Sequence, residues 1–144
     1  MPVTVLNFAD LRKTLNEKND EPLNTLVEKV GTAYVVAVTR EKCPGCEEQE
    51  PLFEKLESRM KKKYARQIEF FRVHAFFSQE QREEAKQCLT AFRTVAFPTY
   101  VIGIKDDVGT CRETYRSIEP PMKEIERNVD IAVELATRFE SPKQ

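Results

Sequence analysis

Residues 33–46 read AYVVAVTREKCPGC, an apolar run followed by a short charged segment and two cysteines that enclose Pro-Gly. The apolar run predicts a central strand over residues 33–39. Residues 47–64, which follow the second cysteine, place Phe53, Leu56 and Met60 on one face at helical spacing. The cysteine pair is therefore expected in the tight connection between a strand and a helix.

This position favours redox chemistry at the two thiols. A disulfide forms only when two sulfurs approach with little backbone movement, and two intervening residues at a helix start bring them that close. Cys43 is placed to be the N-cap and Pro44 to be the first helical residue. The free N–H groups and the helix dipole then favour a thiolate at Cys43, the attacking species in disulfide exchange. We predict that Cys43 is the nucleophile and that Cys46, one turn into the helix and less exposed, is the resolving thiol.

Charged neighbours are expected to act on Cys43 in opposite directions. Arg40 and Lys42 should lower its pKa, whereas the glutamates at positions 47, 48 and 50 oppose a further negative charge at the helix start. Two other interpretations of the pair stay open, an inert structural disulfide and half of a tetrahedral zinc site. The zinc alternative lacks a second close pair of ligands, because the other cysteines and the single histidine stand alone in the sequence.

With these features the chain resembles the thioredoxin family. Pro51 lies five residues after Cys46, where that family carries a proline in the active-site helix. Residues 95–99, VAFPT, resemble the family's conserved turn, with Pro98 in the place of its cis-proline. A proline at the first position of an apolar strand, here residues 100–104, is also tolerated on general grounds.

The resemblance implies a substrate-binding surface around the cysteines. In this family the cis-proline packs across from the Cys pair and leaves the backbone of the preceding residue, here Phe97, free to pair with an extended substrate. Pro98, Lys42, Pro44 and Gly45 are implied substrate contacts as well. The alternative for Phe97 is an ordinary core aromatic.

The chain also departs from the family pattern. Lys42 stands where thioredoxins usually have tryptophan, and the order Pro-Gly replaces Gly-Pro. Ala37 stands where the family has a buried aspartate, the usual proton acceptor for the second thiol. The proline directly after the first cysteine resembles the active-site motif of glutaredoxins, but the sequence has no separate glutathione-binding signature.

Composition bounds the function further. The chain has 144 residues, with 23 Lys and Arg against 24 Asp and Glu, so its net charge of −1 provides no field that would attract nucleic acid or an anionic membrane. We find no signal-peptide pattern in the first twenty residues and no apolar run long enough to span a membrane, which predicts a cytosolic protein. In most cytosols an exposed Cys pair is more often catalytic than structural.

The remaining patterns predict an α/β thioredoxin fold with a central mixed β-sheet flanked by α-helices and an N-terminal helical extension. We expect one domain over 1–144, with an extension at 1–32, a redox core at 33–139 and a polar tail at 140–144. The predicted elements are a strand at 3–6, a helix capped by Asn7, a second helix with Leu23, Leu26, Val27 and Val30, a strand at 68–74, a helix capped by Ser78 with Gln81, a hairpin of strands 99–104 and 110–116, and a helix after Pro121.

Three further residues carry possible chemistry. Cys88 lies on an apolar helix face and is expected to be a buried, inert thiol. Cys111 is expected to be exposed or to pair with Cys88, and His74 is expected to have a structural role. The sequence as a whole predicts a thiol-disulfide oxidoreductase that reduces protein disulfides, needs an external electron donor or acceptor, implies no metal or organic cofactor, and acts as a monomer. The alternative is a thioredoxin-like binding or redox-sensing scaffold.

Overall fold

A computed structural model describes residues 3–18 and 20–139 of the chain. Within this part the structure has five strands and five α-helices. In chain order these are β1 (Thr4–Asn7), α1 (Phe8–Lys18), α2 (Pro22–Leu26), β2 (Ala33–Arg40), α3 (Pro44–Tyr64), β3 (Ile68–Ala75), α4 (Glu83–Ala91), β4 (Thr99–Lys105), β5 (Cys111–Ile118) and α5 (Met122–Ala136). Two short 3₁₀ turns, Ala65–Gln67 and Thr137–Phe139, follow α3 and α5.

The strands form one mixed sheet in the order β1-β3-β2-β4-β5. β1, β3 and β2 are parallel, and β4 and β5 run antiparallel to their neighbours. The predicted central mixed sheet is confirmed, and β2 is its central strand.

β2 is apolar throughout because helices cover both faces of the sheet. Val35 and Ala37 enter a core formed with α3 and α5, whereas Val36 and Val38 enter a second core formed with α1 and α4. All residues from 33 to 39 are buried. A strand buried on both faces has no polar face, so it appears in the sequence as a continuous apolar run.

β5 forms one edge of the sheet and is lined with charged side chains. Arg112 pairs with Asp106, with 2.7 Å between Nε and Oδ2. Arg116 pairs with Glu113 at 2.8 Å and also donates to the carbonyl of Phe92 at 2.6 Å. The exposed edge of β5 is therefore polar. Arg116 links this strand to Phe92 at the C-terminal end of α4.

Two predicted helix boundaries are wrong. The second helix ends at Leu26, and Val30 is exposed. The cause is tertiary, since Lys105 at the end of β4 donates from Nζ to the carbonyl of Val27 at 2.5 Å and exchanges backbone hydrogen bonds with Gly31 and Thr32. These bonds hold residues 27–32 against the sheet in place of a continued helix.

The predicted capping box of Ser78 and Gln81 is also wrong. Ser78 Oγ does accept the N–H of Gln81, at 2.9 Å, but the helix begins only at Glu83. The Gln81 carbonyl, rather than its side chain, accepts the N–H of Ser78. The two residues therefore close a turn that precedes α4. The predicted cap of α1 is confirmed, since Asn7 Oδ1 accepts the N–H of Ala9 at 2.8 Å.

The polar residues 16–18 belong to α1, which extends to Lys18. The proposed division into an extension, a core and a tail stays a prediction, and residues 140–144 lie outside the described part of the chain. None of the helices within the described residues combines the length and apolar character that crossing a membrane requires.

Substitution of Tyr34 tests the packing of the core between the sheet and helices α1 and α4. Its side chain is fully buried, and within residues 3–18 and 20–139 its hydroxyl has no hydrogen-bond partner. A buried polar group without a partner costs roughly 1–3 kcal/mol. We expect Tyr34→Phe to raise the free energy of unfolding by about 1 kcal/mol in urea titrations.

Gly103→Ala serves as the contrasting variant for the same region. A Cβ at Gly103 would lie 2.5 Å from the Tyr34 hydroxyl and 2.8 Å from its Cζ, so this change should destabilise the protein by about 1–3 kcal/mol. A loss of stability in Tyr34→Phe would contradict the assignment of an unpartnered hydroxyl.

Candidate functional site

Cys43 and Cys46 are joined by a disulfide at the start of α3, with 5.2 Å between their Cα atoms. Cys43 is the N-cap and Pro44 the first residue of the helix, as the sequence predicts. The N–H of Cys46 donates to Cys43 Sγ at 3.2 Å, and the N–H of Glu47 donates to the Cys43 carbonyl at 3.0 Å. A free amide of the helix start is thus directed at the sulfur predicted to be the nucleophile.

The prediction that Cys46 is less exposed than Cys43 is wrong for the disulfide form of the protein. Cys43 is 4% exposed and Cys46 is 6% exposed. Because the two sulfurs are bonded to each other, each covers the other. The distinction between their roles therefore rests on the amide directed at Cys43 and not on burial.

Pro98 lies beside the turn that separates the two cysteines. It is buried, and the peptide bond between Phe97 and Pro98 is cis. A Cβ added to Gly45 would lie 3.4 Å from Pro98 Cδ, which is ordinary van der Waals contact. The residues that the resemblance assigns to substrate binding, Pro44, Gly45 and Phe97 with Pro98, therefore lie together at one end of the sheet.

Phe97 combines the two interpretations that the sequence left open. Its ring is half-buried and packs against the core on the α1 and α4 side of the sheet. Its backbone N–H and carbonyl have no hydrogen-bond partner within the part of the chain that the structure describes. The side chain is thus a core aromatic, while the main chain is available to another strand.

Arg40 holds the segment before the cysteines. Its Nη1 donates to the carbonyls of Glu41 and Lys42, at 2.7 and 2.9 Å, and its guanidinium lies 3.9 Å from the centre of the Phe77 ring. Lys42 is exposed and has a positive φ of 52°. Their expected effect on the pKa of Cys43 stays a prediction.

The turn between β5 and α5 also contacts the site, which the sequence reasoning missed. A Cβ at Gly45 would overlap Glu119 Oε1, so the carboxylate lies directly against this glycine. The N–H of Glu119 donates to the Pro98 carbonyl at 2.9 Å, and Gln49 Nε2 donates to the Pro120 carbonyl at 2.9 Å. No local signal in the sequence marks this turn, because it is 71 residues from Gln49 and reaches the site only through the antiparallel hairpin.

An ion pair lies beside Ala37, the position of the family's aspartate. Ala37 pairs with Arg72 of β3 and with Tyr100 of β4 in the sheet register. Arg72 Nη1 is 2.5 Å from Oε2 of Glu50, which is four residues after Cys46 on α3. The sequence analysis identified Glu50 only as a charge near the helix start, so its partner on β3 was missed.

The other candidate residues have mainly structural surroundings. Burial raises the pKa of Cys88 to about 12 and that of half-buried Cys111 to about 11. Both are free thiols, so the disulfide considered between them is not formed. His74 Nδ1 is hydrogen-bonded to Thr39 Oγ1 at 2.7 Å across β2 and β3, as expected of a structural residue. The described residues contain no group of three or more metal-ligating side chains placed to hold an ion.

No protein-family model and no curated protein sequence matches the chain. Solved structures do match it. Fasciola hepatica thioredoxin is 21% identical, with 90% of this chain and 99% of that chain covered and a TM-score of 0.57. Nicotiana alata thioredoxin is 18% identical, with coverage of 92% and 95% and a TM-score of 0.59. Trichomonas vaginalis thioredoxin is 10% identical, with coverage of 90% and 96% and a TM-score of 0.63. The chain therefore has the thioredoxin fold, as the resemblance implied.

The contact between Gly45 and Glu119 can be tested by a double-mutant cycle. In an otherwise unchanged protein, Gly45→Ala has to displace the Glu119 carboxylate, the end of an exposed side chain, so it should stabilise the disulfide form by about 0.5 kcal/mol less than in a Glu119→Ala background. In the Glu119→Ala background the same change should raise the free energy of unfolding by about 0.5–1 kcal/mol, because alanine is the better helix former. Equal effects of Gly45→Ala in both backgrounds, measured in urea, would show that the two residues do not touch.

Proposed function

We propose that the protein is a thiol-disulfide oxidoreductase that reduces disulfides in protein substrates through Cys43 and Cys46. The observation that carries this proposal is the position of the disulfide at the start of α3, where the N–H of Cys46 is directed at Cys43 Sγ. A thiolate at that sulfur would be stabilised by this amide and by the helix dipole. The thioredoxin fold of the chain supports the same conclusion, since other proteins of this fold act on thiols and disulfides.

The reaction consists of two thiol-disulfide exchanges. The Cys43 thiolate attacks one sulfur of the substrate disulfide, the S–S bond breaks, and the other substrate sulfur leaves as a thiolate that takes up a proton. Cys46 then loses its proton and attacks Cys43 Sγ, which releases the second substrate sulfur as a thiolate. The substrate gains two electrons and two protons, and the protein ends as the Cys43–Cys46 disulfide.

Substrate binding is expected at the free backbone of Phe97. An extended chain can pair with this backbone by main-chain hydrogen bonds, which provide affinity with little dependence on sequence. Pro98 and Gly45 lie close to each other beside it, so the paired chain would bring its own sulfur to the Cys43 side of the turn. Pro44 and exposed Lys42 would border the same surface.

The proposal needs no metal or organic cofactor, but it needs an external dithiol donor. Each turnover leaves the protein oxidised, so a donor of lower reduction potential has to restore the two thiols. We place this cycle in the cytosol and assign it to a monomer. A reducing compartment favours the reductase direction.

The competing function is a binding or redox-sensing scaffold without efficient turnover. It is favoured by two departures from the thioredoxin pattern, Lys42 in place of tryptophan and Ala37 in place of the buried aspartate. Ala37 has no group to accept the proton of Cys46, so that proton would have to leave to solvent or to another base. Slow resolution of the mixed disulfide would then leave a protein that captures partners but releases them poorly.

Variants of the two cysteines separate these functions. We expect Cys46→Ser to accumulate a mixed disulfide between Cys43 and a model protein disulfide, while Cys43→Ser forms none and loses all turnover. The adduct is measured by non-reducing electrophoresis and mass spectrometry. Matched controls are Cys88→Ser and Cys111→Ser, which should retain turnover. Retained partner binding by Cys43→Ser together with absent turnover in the unchanged protein would support the scaffold instead.

Differential alkylation in glutathione buffers tests which thiols take part. Cys43 and Cys46 should show one reversible two-electron transition, with a potential below the glutathione poise if the protein is a reductase. Cys88 and Cys111 should react slowly with iodoacetamide at neutral pH. Their pKa values are raised to about 12 and about 11, so few of these thiols are deprotonated there. Absence of a reversible transition at Cys43 and Cys46 would overturn the proposed function.

A further inference from the structure

We propose that Glu119 determines substrate specificity by favouring substrate disulfides with a lysine or arginine two residues from the attacked cysteine. This inference rests on the proposed function and adds to it a class of preferred substrate. Glu119 lies outside the Cys-x-x-Cys motif and outside the Phe97–Pro98 turn, but its carboxylate contacts the first and its backbone is bonded to the second.

Three contacts place the Glu119 turn beside the cysteine turn. Glu119 Oε1 lies against Gly45, in a space that a side chain on residue 45 would fill. The N–H of Glu119 donates to the Pro98 carbonyl at 2.9 Å. The next residue, Pro120, accepts a hydrogen bond from Gln49 Nε2 at 2.9 Å, which holds the turn on α3. Glu119 therefore lies between the cysteine turn and the segment whose free backbone would bind a substrate.

The charge of Glu119 is available to a substrate. The residue is exposed, and within residues 3–18 and 20–139 it forms no ion pair. Glu47 and Glu48 near the start of α3 are exposed too. Two cations precede Cys43: the Arg40 guanidinium is bonded to two backbone carbonyls and lies over the Phe77 ring, whereas Lys42 is exposed.

A substrate cysteine has to reach Cys43 while its chain lies along Phe97. In an extended chain the residues two positions before and after that cysteine point to the same side as its sulfur, about 6.6 Å along the chain in each direction. Their side chains then pass close to the Gly45 surface that Glu119 borders. A lysine or arginine there gains a favourable interaction with the carboxylate, and a glutamate or aspartate is repelled.

The test compares two synthetic peptides, each with one intrachain disulfide. They are identical except that the residues two positions before and after the attacked cysteine are lysines in one and glutamates in the other. Prereduced protein is mixed with each peptide at low salt, and the second-order rate constant of peptide reduction is measured. The ratio of the two constants is the readout, because a general change in Cys43 reactivity affects both peptides equally and cancels.

We expect the unchanged protein to reduce the lysine peptide faster than the glutamate peptide. Glu119→Gln should lower that ratio by about two- to fivefold, the size expected of one exposed charge pair, and Glu119→Lys should lower it further. The preference should weaken as salt is raised, since screening shortens the range of exposed charges. Glu54→Gln, the same charge change at an exposed position further along α3, should leave the ratio unchanged.

The outcomes are distinguishable from one another. Equal rates for both peptides, or a ratio that Glu119→Gln does not alter, would overturn the inference and leave the proposed function standing. An equal loss of rate for both peptides in Glu119→Gln would also overturn it, since it would indicate a structural role. Failure of the unchanged protein to reduce either peptide, with no adduct in Cys46→Ser, would overturn the proposed function itself.

Discussion

Burial of β2 on both faces is the constraint on which the site depends. Val35 and Ala37 are held in one core and Val36 and Val38 in the other, so the strand has no freedom to slide or turn over. Its end is therefore a fixed point, and the chain reaches Cys43 three residues later. A helix start anchored in this way directs its free amide at one sulfur, that of Cys43.

The antiparallel half of the sheet brings the other components to the same point. Val38 of β2 pairs with Thr99 at the start of β4, and Thr99 pairs with Ile118 at the end of β5. Pro98, just before β4, and Glu119, just after β5, therefore lie at the end of the sheet where the cysteines are. Three segments that are distant in sequence meet because β4 runs opposite to β2 and β5 runs opposite to β4.

How much could be predicted from the sequence depends on how far apart along the chain the interacting residues are. The strand at 33–39, the caps at Asn7 and Cys43, and the hairpin are local patterns, and these predictions hold. The early end of α2 depends on Lys105 across the sheet, and the Arg72–Glu50 pair depends on the register of β3 against β2. Glu119 was missed for the same reason, since its contact with Gly45 exists only after the hairpin is placed. Register and long-range hydrogen bonds leave no periodicity in the sequence.

The polar edge of β5 has a consequence for the proposed pairing with an extended substrate. An unprotected edge strand offers a row of free amides and carbonyls to any unfolded polypeptide, and so promotes aggregation. Arg112, Glu113 and Arg116 line this edge and oppose such pairing by their charge and bulk. Extended chains are thereby discouraged from the β5 edge, and the short unpaired backbone at Phe97 is left as the place where the proposed substrate chain would pair.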